Sequence, residues 1–151
     1  MNHPLINQPA PDFTATSYEG IVFTPSLYRG QKNIVLFFYP KDDSIGCTAE
    51  ACAFRDSMPT FEIADTLVVG ISPDSLESHK AFAKKHGITY PLLSDPEGKI
   101  RKLYQVPRDF LGLLPGRVTY VIDRNGIIRG VFRSAFQFKR HVEEALQMLN
   151  M

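Results

Sequence analysis

The sequence predicts an α/β fold, because short apolar runs rich in β-formers alternate with segments of helical periodicity along its 151 residues. A chain of this length buries roughly two thirds of the surface that it exposes when unfolded. We therefore expect one compact domain over residues 1–151. The composition, with 44% hydrophobic and 22% charged residues, is that of an ordinary globular protein.

Six strands are expected where apolar, β-rich runs end at turn residues, at residues 12–16, 21–24, 33–39, 67–71, 118–122 and 127–132. The first two flank a turn at Tyr18 to Gly20 and predict an N-terminal β-hairpin. Pro40 ends the third strand. The last two flank Asn125 and Gly126, a pair that adopts the positive φ angles of a tight hairpin turn.

Four helices are expected between and after these strands, over about residues 47–58, 74–87, 95–104 and 141–149. The first begins near Cys47, after a polar loop, and Pro59 interrupts it. The second opens on a capping box that runs from Asp74 to Glu77. Asp95 is the expected N-cap of the third, with a proline in its first turn. The fourth is amphipathic.

The order of these elements, β-β, β-α-β-α-α and β-β-α, is typical of a thioredoxin-like fold. In this arrangement helices cover both faces of a mixed central β-sheet. The two cysteines of the chain would then lie on or beside the first helix.

Charge and hydropathy argue against several classes of partner. The formal net charge is +1 and acidic and basic residues are interleaved, so no basic face is available for nucleic acid. The longest apolar run, at residues 34–38, is far shorter than the ~20 residues of a membrane-spanning helix. The first ten residues lack the features of a signal or transit peptide, so we expect a cytosolic protein.

Cys47 is the residue most suited to chemistry. It lies where a loop leaves the end of a strand and enters a helix, which is where ligands bind in open α/β sheets. Unpaired backbone N–H groups and the helix dipole both favour a thiolate there. The alternative is that Cys47 is a small buried hydrophobic residue.

Pro40, Ser44 and Cys47 form the pattern Pro-x-x-x-Ser-x-x-Cys, which resembles the peroxidatic motif of peroxiredoxins. The Cys-x-x-x-x-Cys spacing to Cys52 is similar to that of the peroxiredoxin Q branch, also called bacterioferritin comigratory protein. Further matches cover nearly the whole chain, at residues 9–13, 51–56, 114–123 and 136–137 and at His141. The segments at 106–107 and 114–117 look most like plant and cyanobacterial members.

The resemblance implies a function and a set of site residues. Cys47 would be the peroxidatic cysteine, Cys52 the resolving cysteine, and Arg117 the residue that holds the thiolate and the peroxide. A guanidinium suits this role, because it favours the sulfur anion and donates to oxygens that gain negative charge. The alternative for Arg117 is an exposed arginine at the end of a strand. The implied partners are a hydroperoxide and thioredoxin or a similar thiol reductant, the implied state is a monomer, and no cofactor or metal is required.

A disulfide between Cys47 and Cys52 conflicts with an intact helix. On an ideal helix, residues five apart have Cα atoms ~8.6 Å apart and side chains ~140° apart. A disulfide requires about 4.4–6.8 Å between Cα atoms. The first turns of the helix must therefore unwind when the disulfide forms.

Two other functions remain open at this point. A thioredoxin-fold redox sensor would use the same cysteines without sustained turnover. A zinc site would combine them with His79, His86 or His141, although these histidines lack the usual spacing. His79 and His86 lie seven residues apart on one helical face and more simply occupy solvated or rim positions. The apolar loop at residues 105–116 either covers the core or forms the peroxide entrance or a contact surface.

Overall fold

The computed structural model describes residues 3–109 and 114–150 of the chain. Its strands are β1 (Ala15–Thr16), β2 (Val22–Phe23), β3 (Asn33–Phe38), β4 (Thr66–Ser72), β5 (Leu92–Ser94), β6 (Arg108–Asp109), β7 (Leu114–Pro115), β8 (Val118–Ile122) and β9 (Ile128–Arg133). Its α-helices are α1 (Ile45–Asp56), α2 (Met58–Ile63), α3 (Leu76–His86), α4 (Lys99–Leu103) and α5 (Phe138–Leu149).

A five-stranded mixed sheet with the order β5-β4-β3-β8-β9 forms the centre of the molecule. Strands β3, β4 and β5 run parallel, whereas β8 is antiparallel to both β3 and β9. In β3, Leu36 pairs with Val69 on one side and Tyr120 on the other. The predicted thioredoxin-like α/β class is therefore confirmed, and so is the N-terminal hairpin, which β1 and β2 form.

Alternation along β3 divides the core into two layers. Val35, Phe37 and Tyr39 face buried residues of α1, α2, α3 and α5, and the Phe37 ring stacks on Phe54 of α1 at 4.4 Å between centroids. Ile34, Leu36 and Phe38 face the layer covered by α4 and the N-terminal segment. Burial on both faces is what fixes the register of this central strand.

Several predicted boundaries need correction. Ser75, not Asp74, caps α3, because its hydroxyl accepts from the Ser78 N–H at 3.1 Å. The carboxylate of Asp74 instead accepts from the Asp42 N–H at 2.7 Å.

The third predicted helix corresponds to α4, which starts later than predicted, at Lys99, with Gly98 as its N-cap. Asp95 lies before that helix but still binds its free N–H groups. Its two carboxylate oxygens accept from the N–H groups of Ile100 and Arg101, each at 3.0 Å. The last helix begins three residues before His141, at Phe138.

The apolar loop was predicted at residues 105–116. Its described ends pair as strands β6 and β7, whereas Phe110, Leu111 and Leu113 lie outside the described residues. Within the described ranges, no helix combines the length and the apolar character that crossing a bilayer requires.

Candidate active site

Cys47 lies in the first turn of α1, as predicted, and Ser44 is the N-cap of that helix. The Ser44 hydroxyl accepts a hydrogen bond from the Cys47 N–H at 3.3 Å and donates to the Lys41 carbonyl at 3.0 Å. Ser44 therefore satisfies one of the free N–H groups of the helix and fixes the loop that leads into it. The Cys47 side chain is buried, with 1% of its surface exposed.

Arg117 comes directly before β8 and reaches across to α1. Its Nη2 donates to the Cys47 sulfur at 3.3 Å, and its Nη1 donates to Glu50 Oε1 at 2.8 Å. Its Nε donates to the Ala135 carbonyl at 3.3 Å. Burial opposes the charge of this guanidinium, but Glu50 and Cys47 beside it hold its pKa above the ordinary value. The expected proximity of Arg117 and Cys47 is confirmed, and the alternative of an exposed arginine is wrong, because only 6% of Arg117 is exposed.

The ring of Phe138, at the start of α5, closes one side of this site. Its centroid lies 4.9 Å from the Arg117 guanidinium carbon, in cation–π geometry. A Cβ atom on Gly46 would lie 2.5 Å from this ring and 3.1 Å from Arg117 Nη2. Position 46 therefore requires glycine because α5 and the arginine approach the helix backbone closely.

Glu50 lies one turn after Cys47 and is fully buried. Burial raises its pKa to about 7, although the Arg117 guanidinium acts in the opposite direction. Its Oε2 has no hydrogen-bond partner among the described residues, and His141 Nδ1 lies 3.4 Å from it. Burial, with Arg117 adding to the effect, lowers the pKa of His141 to about 4. The site thus holds a buried acid and a buried base side by side.

A second buried cluster anchors the loop before Cys47. Asp42 accepts from the Tyr39 hydroxyl at 2.7 Å and lies 2.8 Å from His79 Nδ1. His79 is fully buried, so the expectation that it occupies a solvated or rim position is wrong. Asp42, Asp74 and His79 bring their ligand atoms within 4.8 Å of one another. Neither cysteine belongs to this group, and the zinc hypothesis therefore gains no support from it.

The other predicted site residues lie nearby in the chain. Pro40 is half-buried and follows the end of β3. Cys52 is half-buried within α1 and, like Cys47, is a free thiol. Because α1 is regular from Ile45 to Asp56, the two cysteines share one intact helix.

Sequence reasoning did not assign Glu50, Phe138 or His141 to the site, although His141 figured in the zinc hypothesis. Glu50 could have been found, since residues three apart on a helix share a face and Cys47 was already placed at the helix start. His141 and Phe138 belong to α5, and only the tertiary packing of α5 on α1 brings them here.

Together, a thioredoxin-like sheet and a buried thiol that accepts a hydrogen bond from arginine at a helix start define a thiol-dependent oxidoreductase. The AhpC/TSA family model matches residues 6–131 of the chain, and the chain belongs to that family. Its relatives place it among the peroxiredoxins, in the Q branch, as its sequence motifs predicted.

Two plant relatives illustrate the match. The chloroplastic peroxiredoxin Q of Sedum lineare is 50% identical over 139 residues, which are 92% of this chain and 74% of that protein. The chloroplastic peroxiredoxin Q of Arabidopsis thaliana is 48% identical over 142 residues, or 94% of this chain and 65% of that protein. The chain thus spans about two thirds to three quarters of the length of these relatives.

Solved structures agree with this assignment. Peroxidoxin BcpB from Mycobacterium tuberculosis superposes with a TM-score of 0.88 at 35% identity, covering 98% of this chain and 97% of that one. Peroxiredoxin Q from Xanthomonas campestris gives a TM-score of 0.84 at 27% identity, covering 91% of this chain and 89% of that one.

The expectation of a cytosolic protein is wrong. The plant relatives, among them those of Sedum lineare, Populus jackii and Suaeda salsa, are named as chloroplastic proteins. The similarity of residues 106–107 and 114–117 to plant members agrees with these relatives.

Proposed function

We propose that the chain reduces hydroperoxides with Cys47 as the attacking residue, Arg117 as the residue that activates it, and Ser44 and Pro40 as the residues that shape its loop. The observation that carries this proposal is the 3.3 Å hydrogen bond from Arg117 Nη2 to the Cys47 sulfur. An arginine with one N–H on the sulfur can hold a thiolate and present another donor to an incoming peroxide.

In the first step, the Cys47 thiolate attacks the terminal oxygen of the hydroperoxide. A sulfur–oxygen bond forms, the oxygen–oxygen bond breaks, and Cys47 becomes a sulfenic acid. The leaving oxygen departs with the electron pair and takes a proton from solvent to become water or an alcohol. Arg117 stabilises the negative charge on this oxygen as the bond breaks.

In the second step, Cys52 attacks the sulfenic acid sulfur. The sulfur–sulfur bond forms and the sulfenic hydroxyl leaves as water, so the enzyme is oxidised by two electrons in all. Since both cysteines lie on the intact helix α1, this step requires the first turns of α1 to unwind.

Reduction completes the cycle. An external dithiol attacks the Cys47–Cys52 disulfide, forms a mixed disulfide and then releases both enzyme thiols by its own second thiol. We propose thioredoxin or a similar protein as this reductant, and a monomer as the working unit because the partner cysteine is in the same chain. The bacterioferritin comigratory protein of Xanthomonas campestris, described for its alkyl peroxide reduction activity, supports organic hydroperoxides as substrates beside hydrogen peroxide.

The test is the intact mass and the free-thiol count after one equivalent of hydrogen peroxide, under denaturing and non-reducing conditions. The unsubstituted protein should lose both thiols and the mass of two hydrogens, whereas Cys52→Ser should form a sulfenic acid that a dione reagent traps. Cys47→Ser is the matched control and should keep its remaining thiol. Survival of both thiols in the unsubstituted protein would overturn the proposal.

Turnover is tested separately. Thioredoxin, its reductase and NADPH should sustain repeated peroxide reduction by the oxidised protein. A disulfide that forms in one equivalent but that thioredoxin cannot reduce would favour a redox sensor over a peroxidase.

A further inference from the structure

His141 is held in one tautomer by its hydrogen bonds. Its Nε2 lies 2.9 Å from the Ser134 carbonyl oxygen, which can only accept, so Nε2 carries a hydrogen. In the neutral ring, Nδ1 is then an acceptor. It lies 2.8 Å from the Thr119 hydroxyl and 3.4 Å from Glu50 Oε2.

The protonation of Glu50 follows from this arrangement. A carboxylate Oε2 beside Nδ1 would have no donor among the described residues, because Nδ1 carries no hydrogen in this tautomer and the Thr119 hydroxyl donates to Nδ1. A protonated Glu50 would instead donate from Oε2 to His141 Nδ1, which would then accept from both Glu50 and the Thr119 hydroxyl, while Oε1 still accepts from Arg117. The other one-proton form, a carboxylate beside an imidazolium, would add a second cation next to Arg117.

We propose that Glu50 and His141 share one proton beside Arg117. In this proposal His141 is a positioning residue that keeps Glu50 uncharged, so that the positive charge of Arg117 stabilises the Cys47 thiolate alone. This inference rests on the proposed function, because it deepens the role of the same site. The raised pKa of Glu50 and the lowered pKa of His141 agree with this distribution of protons.

The charges around Glu50 explain why its protonation matters. The ionisable groups that face it are Cys47 on its own helix, Arg117 before β8, His141 on α5 and the Tyr90 phenol. Burial, with the charge of Glu50 contributing, keeps the pKa of Tyr90 well above its ordinary value, so this phenol stays neutral. Among the described residues, Arg117 is then the one cation shared by two potential anions, the thiolate and the Glu50 carboxylate. Ionisation of Glu50 leaves a net negative site and weakens the hold on the thiolate.

The experiment measures how the rate of Cys47 alkylation by iodoacetamide depends on pH, in a Cys52→Ser background and without any peroxide. His141→Leu, which removes the acceptor, should move the alkylation midpoint upward by about one pH unit. His141→Asn, whose amide oxygen can replace Nδ1, should restore most of the shift. With Glu50→Gln in place, His141→Leu should no longer move the midpoint.

An infrared measurement on the unsubstituted protein provides a second test that needs no His141 variant. Near neutral pH, a carbonyl band of a protonated carboxylic acid should be present and should disappear in Glu50→Gln. Absence of this band, or an equal His141→Leu shift with and without Glu50, would overturn the proposal. A protein that fails to consume peroxide but shows the expected coupling would contradict the proposed function and leave this inference intact.

Discussion

At the scale of single residues, Arg117 is the side chain whose geometry is hardest to replace. Three of its nitrogens donate to three different groups, namely the Cys47 sulfur, the Glu50 carboxyl and the Ala135 carbonyl. A planar guanidinium donates in these directions at once, whereas a lysine ammonium provides a single point charge on a flexible stem.

Arg117→Lys should therefore retain a positive charge but lose most of the activity. We expect the rate of peroxide reduction to fall by about 100-fold or more, because a positioned donor to the developing charge is lost. Stopped-flow measurement of peroxide consumption checks this. Arg124→Lys is the matched control, since Arg124 forms an exposed ion pair with Asp65 and should keep the full rate. An Arg117→Lys protein with an unchanged rate would contradict the assignment.

Ser44 has both a capping role and a place beside the reactive thiol. Ser44→Ala should lower the free energy of unfolding by about 1 kcal/mol, the usual effect of losing an N-cap, and should also slow peroxide reduction. Ser75→Ala removes the equivalent cap of α3, so it should cost similar stability without slowing the reaction. Urea unfolding and peroxide kinetics on both variants separate the two effects, and equal slowing by both would show that Ser44 acts through stability alone.

The chemistry at this scale was predictable only where it is local in sequence. Pro40, Ser44, Cys47 and Cys52 lie on one loop and helix, so their spacing could be compared with the motif of a known family. His141 gave no comparable signal, because its partners Thr119 and Ser134 come from β8 and the segment before α5. Burial of His79 was missed for the same reason, since Asp42 lies on a distant loop.

At the scale of elements, helix α1 is tightly attached to the rest of the protein, although the proposed disulfide requires its first turns to unwind. Arg117 and the α5 residues His141 and Phe138 hold its first turns, while Ile45 at its start is 90% exposed. Opening the helix for the disulfide gives up the buried position of Glu50 as well as that of Cys47. In the proposed cycle, the contacts that hold Cys47 beside Arg117 in the first step therefore oppose the unwinding that the second step requires.

Amide hydrogen exchange should detect this opening. In the Cys47–Cys52 disulfide form, amides at residues 47–54 should exchange faster than in the reduced form, because their helical hydrogen bonds are lost. Amides of α3 (Leu76–His86) provide an internal reference and should not change. Equal exchange in the two redox states would mean that the disulfide forms without unwinding the helix.

The contact between Gly46 and Phe138 joins α1 to α5. Gly46→Ala should destabilise the protein by about 1–3 kcal/mol, because the added methyl group would overlap the Phe138 ring. Phe138→Leu should relieve part of that overlap, so the double variant should be more stable than the sum of the single effects predicts. Strict additivity in thermal unfolding would show that the two positions do not contact each other in solution.

Helix ends show what local patterns leave undecided. Asp74 and Ser75 both have the chemistry of an N-cap, and the sequence does not indicate that Asp74 is needed by the Asp42 N–H on another loop. Asp95 likewise accepts from helix amides without being the capping residue. Side-chain type predicts that a helix starts nearby, whereas tertiary hydrogen bonds select the residue.

At the scale of the whole molecule, the alternation of apolar strands and helices was sufficient for the fold class. Strand β5 (Leu92–Ser94) was missed because it has only three residues. Helix α2 (Met58–Ile63) was missed because Pro59, which predicts the end of a helix, lies in the first turn of α2. The mixed directions of the sheet follow from the connections, since β8 and β9 form a hairpin whereas β3 and β4 are joined through α1 and α2.

The pH dependence of the free energy of unfolding should also reflect the protonation of Glu50 and His141. The folded-state pKa of Glu50 is about 7, above its ordinary value of 4.5. Between these two pH values Glu50 holds a proton in the folded protein but not in the unfolded one, so stability falls as pH rises. The folded-state pKa of His141 is about 4, below its ordinary value of 6.5. Between these two pH values His141 holds a proton in the unfolded protein but not in the folded one, so stability rises with pH. Between pH 4.5 and pH 6.5 the two slopes oppose each other.

Replacing either residue should therefore leave only the pH dependence of stability that the other one causes. Glu50→Gln should become more stable as pH rises from 4.5 to 6.5, and His141→Gln should become less stable over the same range. Each slope should be on the order of 1 kcal/mol per pH unit, since one proton per unit corresponds to about 1.4 kcal/mol. Urea unfolding at several pH values measures both slopes. Glu144→Gln is the control, because Glu144 lies on α5 with His141 but forms an ion pair with Arg140 instead. If the two variants change stability with pH in the same direction, the pair does not share its proton as the geometry indicates.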